Sequence, residues 1–346
     1  MRVVGGRIVQ PGATDARRRP RVSVVIPCYN YARYLPAAVA SALDQRNVDV
    51  DVVIVDDAST DDSHEVAAAL ADREPRIRVV RHARNAGHVE TSNEALSLAT
   101  GEYVVKLDAD DMLAPGALAR STALMQTFPG VVFVYGKPVA FQDDPPAFSD
   151  AAASSWTVWS GERWTARLLR RGRNVIMQPE VTVRRDAVEA SGGYRTQLRW
   201  AEDYNWWMRL AALGDVGRVN GVPQGFYRVH GESFQRSADD LELSDLRARV
   251  EATELFLSED AVRDPWPRVA RTALLKDARR MTARARERPD GGHAAAREFA
   301  LIAGRLESEL GERRVRGLSA SSGRWGRAYR DLEARLAWRR WAKWGM

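Results

Sequence analysis

The run Gly101-Glu102-Tyr103-Val104-Val105-Lys106-Leu107-Asp108-Ala109-Asp110-Asp111 constrains this chain more than any other, because an apolar strand empties directly into three carboxylates. Tyr103, Val104, Val105 and Leu107 favour extended backbone, and a short run of this kind suits a strand covered on both faces. The acids then stand at the strand's carboxyl end. Three carboxylates this close repel one another and lose hydration together unless a cation neutralises them. A hard divalent ion is the natural partner. Magnesium or manganese held by one or two carboxylates completes its shell with water and substrate phosphate, so the cluster predicts Mn2+ or Mg2+ together with a diphosphate ligand. The plainer alternative is a solvated turn with a helix cap before Met112-Leu113.

The surrounding pattern decides between the two. Val22 to Ile26, Asp51 to Val55, Ile77 to Val80, Tyr103 to Leu107 and Val131 to Tyr135 read as strands, and helical periodicity fills the intervals from Tyr34 to Leu43, around Val66 and Leu70, from Asn85-Ala86-Gly87 to about Ala99, and over 114–128. Such alternation through residues 22–136 predicts a mostly parallel sheet with helices on its faces. Ligands of such sheets bind beyond the carboxyl ends of the strands. Pro27-Cys28-Tyr29-Asn30, Asp56-Asp57 and Asp108 to Asp111 all fall at carboxyl ends and should crowd one rim. No Gly-x-Gly-x-x-Gly follows the first strand, which argues against dinucleotide binding, and the absence of a Gly-Lys-Ser/Thr loop excludes a P-loop nucleotidase.

Residues 137–160, with Asp143-Asp144-Pro145-Pro146, read as a long loop of the kind that forms lids. Ser191-Gly192-Gly193-Tyr194 reads as a turn. A helix beginning near Asp203 would place Trp206, Trp207 and Leu210 on one face with that acid at its start. The two tryptophans read as core in preference to a sugar platform. Gly225 to His230 reads as a strand with Arg228 and His230 on one side. Beyond about residue 237 the texture is Leu, Ala, Arg and Glu at helical spacing, broken near Pro265-Pro267 and Pro289 to Gly292.

The chain of 346 residues thus divides into a basic mobile arm (1–20), an α/β domain (21–236) and an α-helical C-terminal appendage (237–346). Its net charge of +6 is unevenly spread, since residues 261–346 hold 21 Lys/Arg against 10 Asp/Glu. A solvated helical surface accounts for this more simply than nucleic-acid binding. Trp338, Trp341 and Trp344 share one side of the last helix, which suits a homodimer contact or a peripheral membrane contact. The lone cysteine, Cys28, excludes an internal disulfide and fits a reducing compartment. No run approaches the roughly 18 apolar residues that span a bilayer, and the N-terminus lacks the apolar core of a signal peptide. The expectation is a cytoplasmic protein, with any membrane contact at the inner face.

Taken in order, Val24 to Asn30, Val55 to Asp61, Asn85-Ala86-Gly87, Gly101 to Asp111, Gly192-Gly193-Tyr194, Glu202-Asp203 and Tyr227-Arg228-Val229-His230 resemble the glycosyltransferase family 2 enzymes of the GT-A fold. The resemblance covers about residues 22–232. It implies an inverting transfer of a sugar from a nucleotide-diphosphate sugar, UDP-linked by preference, to a saccharide, lipid-linked or small-molecule acceptor, in polysaccharide biosynthesis. By position it implies that Pro27, Tyr29 and Asp57 line the base pocket and that Asp108 contacts the ribose. It places Asp110 or Asp111 on the metal, His230 beside the metal or diphosphate, and Asp203 as general base. The match departs at residues 88–94 and leaves Arg84 or Lys106 to assist the diphosphate. Two other classes remain open on the residues alone. A nucleotidyltransferase would show a Gly-rich, basic loop after the first strand, where Cys28 to Arg33 stands instead, and a non-catalytic binding protein would use the basic tail.

Overall fold

The computed structural model describes residues 6–11, 19–230, 241–259, 265–287 and 293–311. They fall into two compact units. The first takes the described residues up to 164, then 176–197 and 206–230; the second takes 165–175, 198–205 and the described residues after 230.

The first unit is built on one sheet. Its strands are β1 (Arg7–Val9), β2 (Arg21–Cys28), β3 (Asp49–Asp56), β4 (Ile77–Arg81), β5 (Tyr103–Lys106), β6 (Met112–Leu113), β7 (Val131–Phe141), β8 (Ser155–Trp159), β9 (Thr182–Arg184) and β10 (Asp215–Arg228). They are ordered β1-β8-β10-β7-β9-β5-β2-β3-β4, with β6 pairing β10. Between β2 and β7 the chain returns through α1 (Leu35–Leu43), α2 (Ser63–Arg73), α3 (His88–Ser97) and α4 (Ala117–Thr127). After β8 come α5 (Gly161–Arg171), a 3-10 turn (Gln178–Glu180), α6 (Arg185–Ser191) and α7 (Glu202–Leu213).

The half of the sheet that carries the acids is parallel: β2 lies between β3 and β5, and β3 pairs β4 in the same sense. Its strands are buried on both faces, as their continuous Val and Ile runs require. Leu35, Ala38, Val39 and Ala42 of α1 recur at helical spacing and join Val24, Ile26, Val52 and Ile54 in the core. The other half is mixed, because β8 and β9 enter antiparallel. Two readings from sequence change here. Residues 137–160 are not one loop, since β7 continues to Phe141 alongside β10 and β8 occupies 155–159. The arm contains β1, whose Arg7, Ile8 and Val9 pair with Val158, Thr157 and Trp156. Both strands gain their order from pairing with distant segments, which local patterning does not carry.

Trp206, Trp207 and Leu210 are buried in the sheet unit, Trp207 with its ring centroid 5.7 Å from that of Phe133, so they are core and not a platform for sugar. The second unit contains α8 (Leu241–Leu257), α9 (Trp266–Arg286) and α10 (His293–Leu310) around Leu246, Leu274, Phe299 and Leu306. Arg249 is buried there and donates to Gly172 O, Asp245 and Asp277. Among the described residues no helix is long and apolar enough to cross a membrane. The Trp338, Trp341 and Trp344 stripe lies outside the described residues.

Ser23 holds the acid-bearing strand in place. Its buried hydroxyl donates to Asp51 and accepts the backbone N–H groups of Thr100 (3.0 Å) and Gly101 (2.8 Å). A side chain at Gly101 has no room, because a Cβ there would stand 2.6 Å from Ser23 N. Replacing Ser23 by Ala strands two backbone donors, at a cost of about 2 kcal/mol. Urea unfolding followed by circular dichroism should register that loss; an unchanged midpoint would refute the assignment.

Candidate active site

Three turns stand at the carboxyl end of the parallel strands, and the first two are tied to each other. Asn30, which follows β2, adopts a left-handed φ of 59° that asparagine tolerates better than most residues. Its carboxamide oxygen accepts Thr60 N–H at 2.8 Å, while its own N–H donates to Ser59 Oγ at 3.0 Å. Tyr31 N–H reaches Ser63 Oγ, and Ala32 N–H reaches Asp61. The turns after β2 and β3 are therefore one rigid ledge. Cys28 lies beneath it, buried, its thiol pushed up to about 12 chiefly by desolvation.

The third turn holds the acids. Asp111 N–H closes it on Asp108 O at 3.0 Å. Lys106 Nζ, itself buried, lies 2.5 Å from Asp108 Oδ1. His230 Nε2 lies 2.9 Å from Asp110 Oδ2. Asp111 accepts the Arg228 N–H at 2.8 Å on Oδ1, while its Oδ2 is buried without a hydrogen-bond partner. Arg228 organises this corner from β10. Its guanidinium donates to Asp110 O and to the carbonyls of Gln142 and Asp143, and it stacks over Tyr34 and Phe141. The Tyr34 ring packs 5.1 Å from the His230 ring.

The three carboxyls cannot share one protonation state comfortably. Burial would raise Asp108, but the charges of Lys106 and His88 outweigh it and hold it low. Burial and the charge of Asp108 raise Asp110, while burial with both neighbouring acids raises Asp111 well above the ordinary carboxylate range. Among the described residues no three His, Cys, Asp or Glu side chains form a ready-made cation cage. What is present still suits a divalent ion. Asp110 and His230 form an oxygen and nitrogen pair 2.9 Å apart, and the crowding of three acids in one turn is what a cation would relieve.

The other residues singled out from sequence are placed as follows. Pro27 is buried and Tyr29 is 43% exposed, a large aromatic ring left open on the rim. Asp57 is buried with both oxygens engaged: Oδ1 receives Ala86 N–H at 2.7 Å and the His82 ring, and Oδ2 receives Gly87 N–H at 2.9 Å. The carboxylate thus shapes the 85–87 loop. Arg84 is exposed, whereas Lys106 is committed to Asp108. Asp203, near the start of α7, accepts the Asn174 amide at 2.7 Å and the Tyr204 N–H at 2.6 Å.

Sequence reasoning missed the organising roles of Arg228, His82 and Asn93. Asn93 clamps Tyr194 through both its N–H and its C=O, and the left-handed Gly193 beside it has no room for a Cβ. Arg209 donates to Ser191 O and Gly193 O from the other side. The one signal available was the placement of buried-type charges in apolar runs, as with Arg209 between Met208 and Leu210.

Comparison with known proteins follows this geometry. The family described as "Glycosyl transferase family 2" matches residues 23–188. The succinoglycan biosynthesis protein ExoO of Rhizobium meliloti is 38% identical over 258 residues, which is 73% of this chain and 72% of ExoO. A chondroitin synthase of Pasteurella multocida is 31% identical over 207 residues, 59% of this chain but 20% of the synthase, so the match spans about a fifth of that relative's length. Among solved structures, residues 1–349 of Staphylococcus aureus TarS, in complex with UDP-GlcNAc, align with a TM-score of 0.59 at 16% identity, over 83% of this chain and 90% of that one. The mannosyltransferase PcManGT of Pyrobaculum calidifontis, in complex with GDP-Man and Mn2+, aligns at 0.53 with 19% identity, over 85% and 88%. These two likenesses establish the shared GT-A-like fold. The family match over residues 23–188, with the ExoO match, shows that the chain belongs to glycosyl transferase family 2.

Proposed function

We propose that this chain transfers a sugar from a nucleotide-diphosphate sugar to an acceptor hydroxyl with inversion at the anomeric carbon. The observation that carries the reading is the acid turn Asp108 to Asp111, set on the strand-end rim beside the ledge of Asn30, Ser59 and Ser63 and closed by His230. Tyr29 and Pro27 offer the nucleotide base an aromatic ring and a buried wall, and Asp57 holds the loop that borders them. Asp108 takes the ribose, a role supported by the Lys106 contact that fixes its carboxylate.

A divalent ion on Asp110 and His230 would neutralise charge building on the departing diphosphate. Asp110 is favoured over Asp111 as its ligand, since the Asp111 side chain is sealed and tied to Arg228 N–H while Asp110 keeps 14% of its side-chain surface. Asp203 takes the acceptor's proton, a role supported by its Glu202-Asp203 motif and by the Asn174 contact that fixes its carboxylate. The names of the relatives, with chondroitin and succinoglycan among them, support a saccharide acceptor in polysaccharide biosynthesis. A UDP-linked donor is the first choice and a GDP-linked donor the second, after the ligands of the two structural neighbours.

Incubating the chain with manganese and a panel of UDP- and GDP-sugars, with oligosaccharide acceptors, should release the matching nucleoside diphosphate. No release from any donor would remove the reading. The Asp203→Asn variant should fold normally, since Asn174 can turn its amide over to match, bind nucleotide as before and lose at least about 100-fold in kcat; retained turnover would take Asp203 out of the mechanism.

The metal assignment has its own check in thermal melting with UDP, with and without MnCl2. Asp110→Asn should abolish the manganese-dependent rise in Tm. Asp111→Asn should keep most of it and should itself melt a few degrees higher than the parent without metal, because it removes one repelling charge. The reverse pattern would make Asp111 the ligand.

A further inference from the structure

One titratable side chain on the nucleotide side of the rim has no task in that scheme. His82 follows β4 with only 13% of its side chain exposed, and its ring stands between two acids. Nδ1 is 2.6 Å from Asp57 Oδ1 and Nε2 is 2.8 Å from Glu94 Oε2 on α3. An ionised carboxylate only accepts hydrogen bonds, so a ring facing a carboxylate at each nitrogen needs a proton on both. A neutral ring would set a lone pair against one of the acids. Burial opposes the cation, but the hydrogen bonds to Asp57 and Glu94 outweigh it and raise the ring above its ordinary value of 6.5. Asp56, whose carbonyl accepts the His82 N–H, faces Arg81 at 3.4 Å and His64 at 3.9 Å, and Glu90 of α3 stands beside Gly87.

The same Asp57 oxygens receive Ala86 and Gly87 N–H, and the Asn85 side chain donates to Asp57 O at 3.3 Å. Gly87 turns with a φ of +97°, and α3 starts at the next residue. Ring, carboxylate and loop amides therefore form a closed clamp, with Glu94 on α3 as its second anchor. Burial alone would raise the Asp57 carboxyl, but bonds from Ala86, His82 and Gly87 hold it below the ordinary range.

We propose that His82, held as an imidazolium between Asp57 and Glu94, is a positioning residue for the nucleotide: it fixes the 84–87 loop in its binding geometry, and affinity falls when the ring loses its proton. The inference rests on the reading that this rim binds a nucleotide. Because the folded ring holds its proton more tightly than a free imidazole, the clamp is intact near pH 6 and opens as pH rises through the raised value.

Calorimetric titration of UDP, and separately GDP, with magnesium chloride into the full chain from pH 6 to 9 tests this. Wild-type affinity should drop by roughly five- to tenfold across the range, at the low end of linkage between coupled sites. His82→Gln should bind at the weaker, alkaline level throughout. Glu94→Gln alters a largely exposed side chain and removes one of the acids that hold the proton, so its midpoint should move to lower pH. Any contribution from the acid turn is common to all three proteins, and the differences between them isolate the ring. Tight binding with a flat wild-type profile, a His82→Gln profile like the parent's, or a midpoint unmoved by Glu94→Gln would each overturn the role of His82 alone. Failure of both nucleotides to bind at any pH would overturn the rim reading with it.

Discussion

Three carboxylates packed within four residues at the end of a buried strand set the terms for everything around them. In water their mutual repulsion would be small; partly buried at a sheet edge it is not, and the effective dielectric falls enough for each neighbour to matter. The chain answers with hydrogen-bond donors and basic side chains on three sides. Lys106 is drawn to Asp108, His230 to Asp110, and the Arg228 main chain and guanidinium to Asp111 and the Asp110 carbonyl. Even so, two of the three acids remain hard to ionise. In the proposed reading that residual tension is what a bound cation would relieve, because a fully neutralised cluster would gain nothing from one.

Placement of the compensating groups explains the architecture of the sheet. Lys106 ends β5, Arg228 ends β10, and His230 follows it, so strands from the parallel and the mixed halves must finish at the same level. β10 reaches that level by running fourteen residues along β7, with register shifts between Arg218, Pro223 and Gly225 that absorb the mismatch.

How far the sequence discloses all this depends on whether a residue's task is local. The parallel strands, their helices and the rim of acids were legible, because apolar runs of four to eight residues bounded by turn formers carry their own signal. So was the order of the family's blocks. The continuation of β7, the strand at 155–159 and the edge strand at 7–9 were not, since each is ordered by a partner far away in the chain. Asp57 shows the same limit within the site. Its position announced an acceptor at the rim, but only the folded chain brings Ala86, Gly87 and His82 to its two oxygens. Segments 165–175 and 198–205 belong to the helical unit, although their sequence gives no sign of leaving the sheet.

The buried thiol beneath the ledge has a practical side. Cys28 is the only cysteine, it is 2% exposed, and its resistance to ionisation withholds the thiolate that electrophiles attack. A cysteine engineered on an exposed surface would therefore react with a maleimide probe against almost no background. Spectroscopic reporters can be attached to this chain one at a time without first removing the native sulfhydryl.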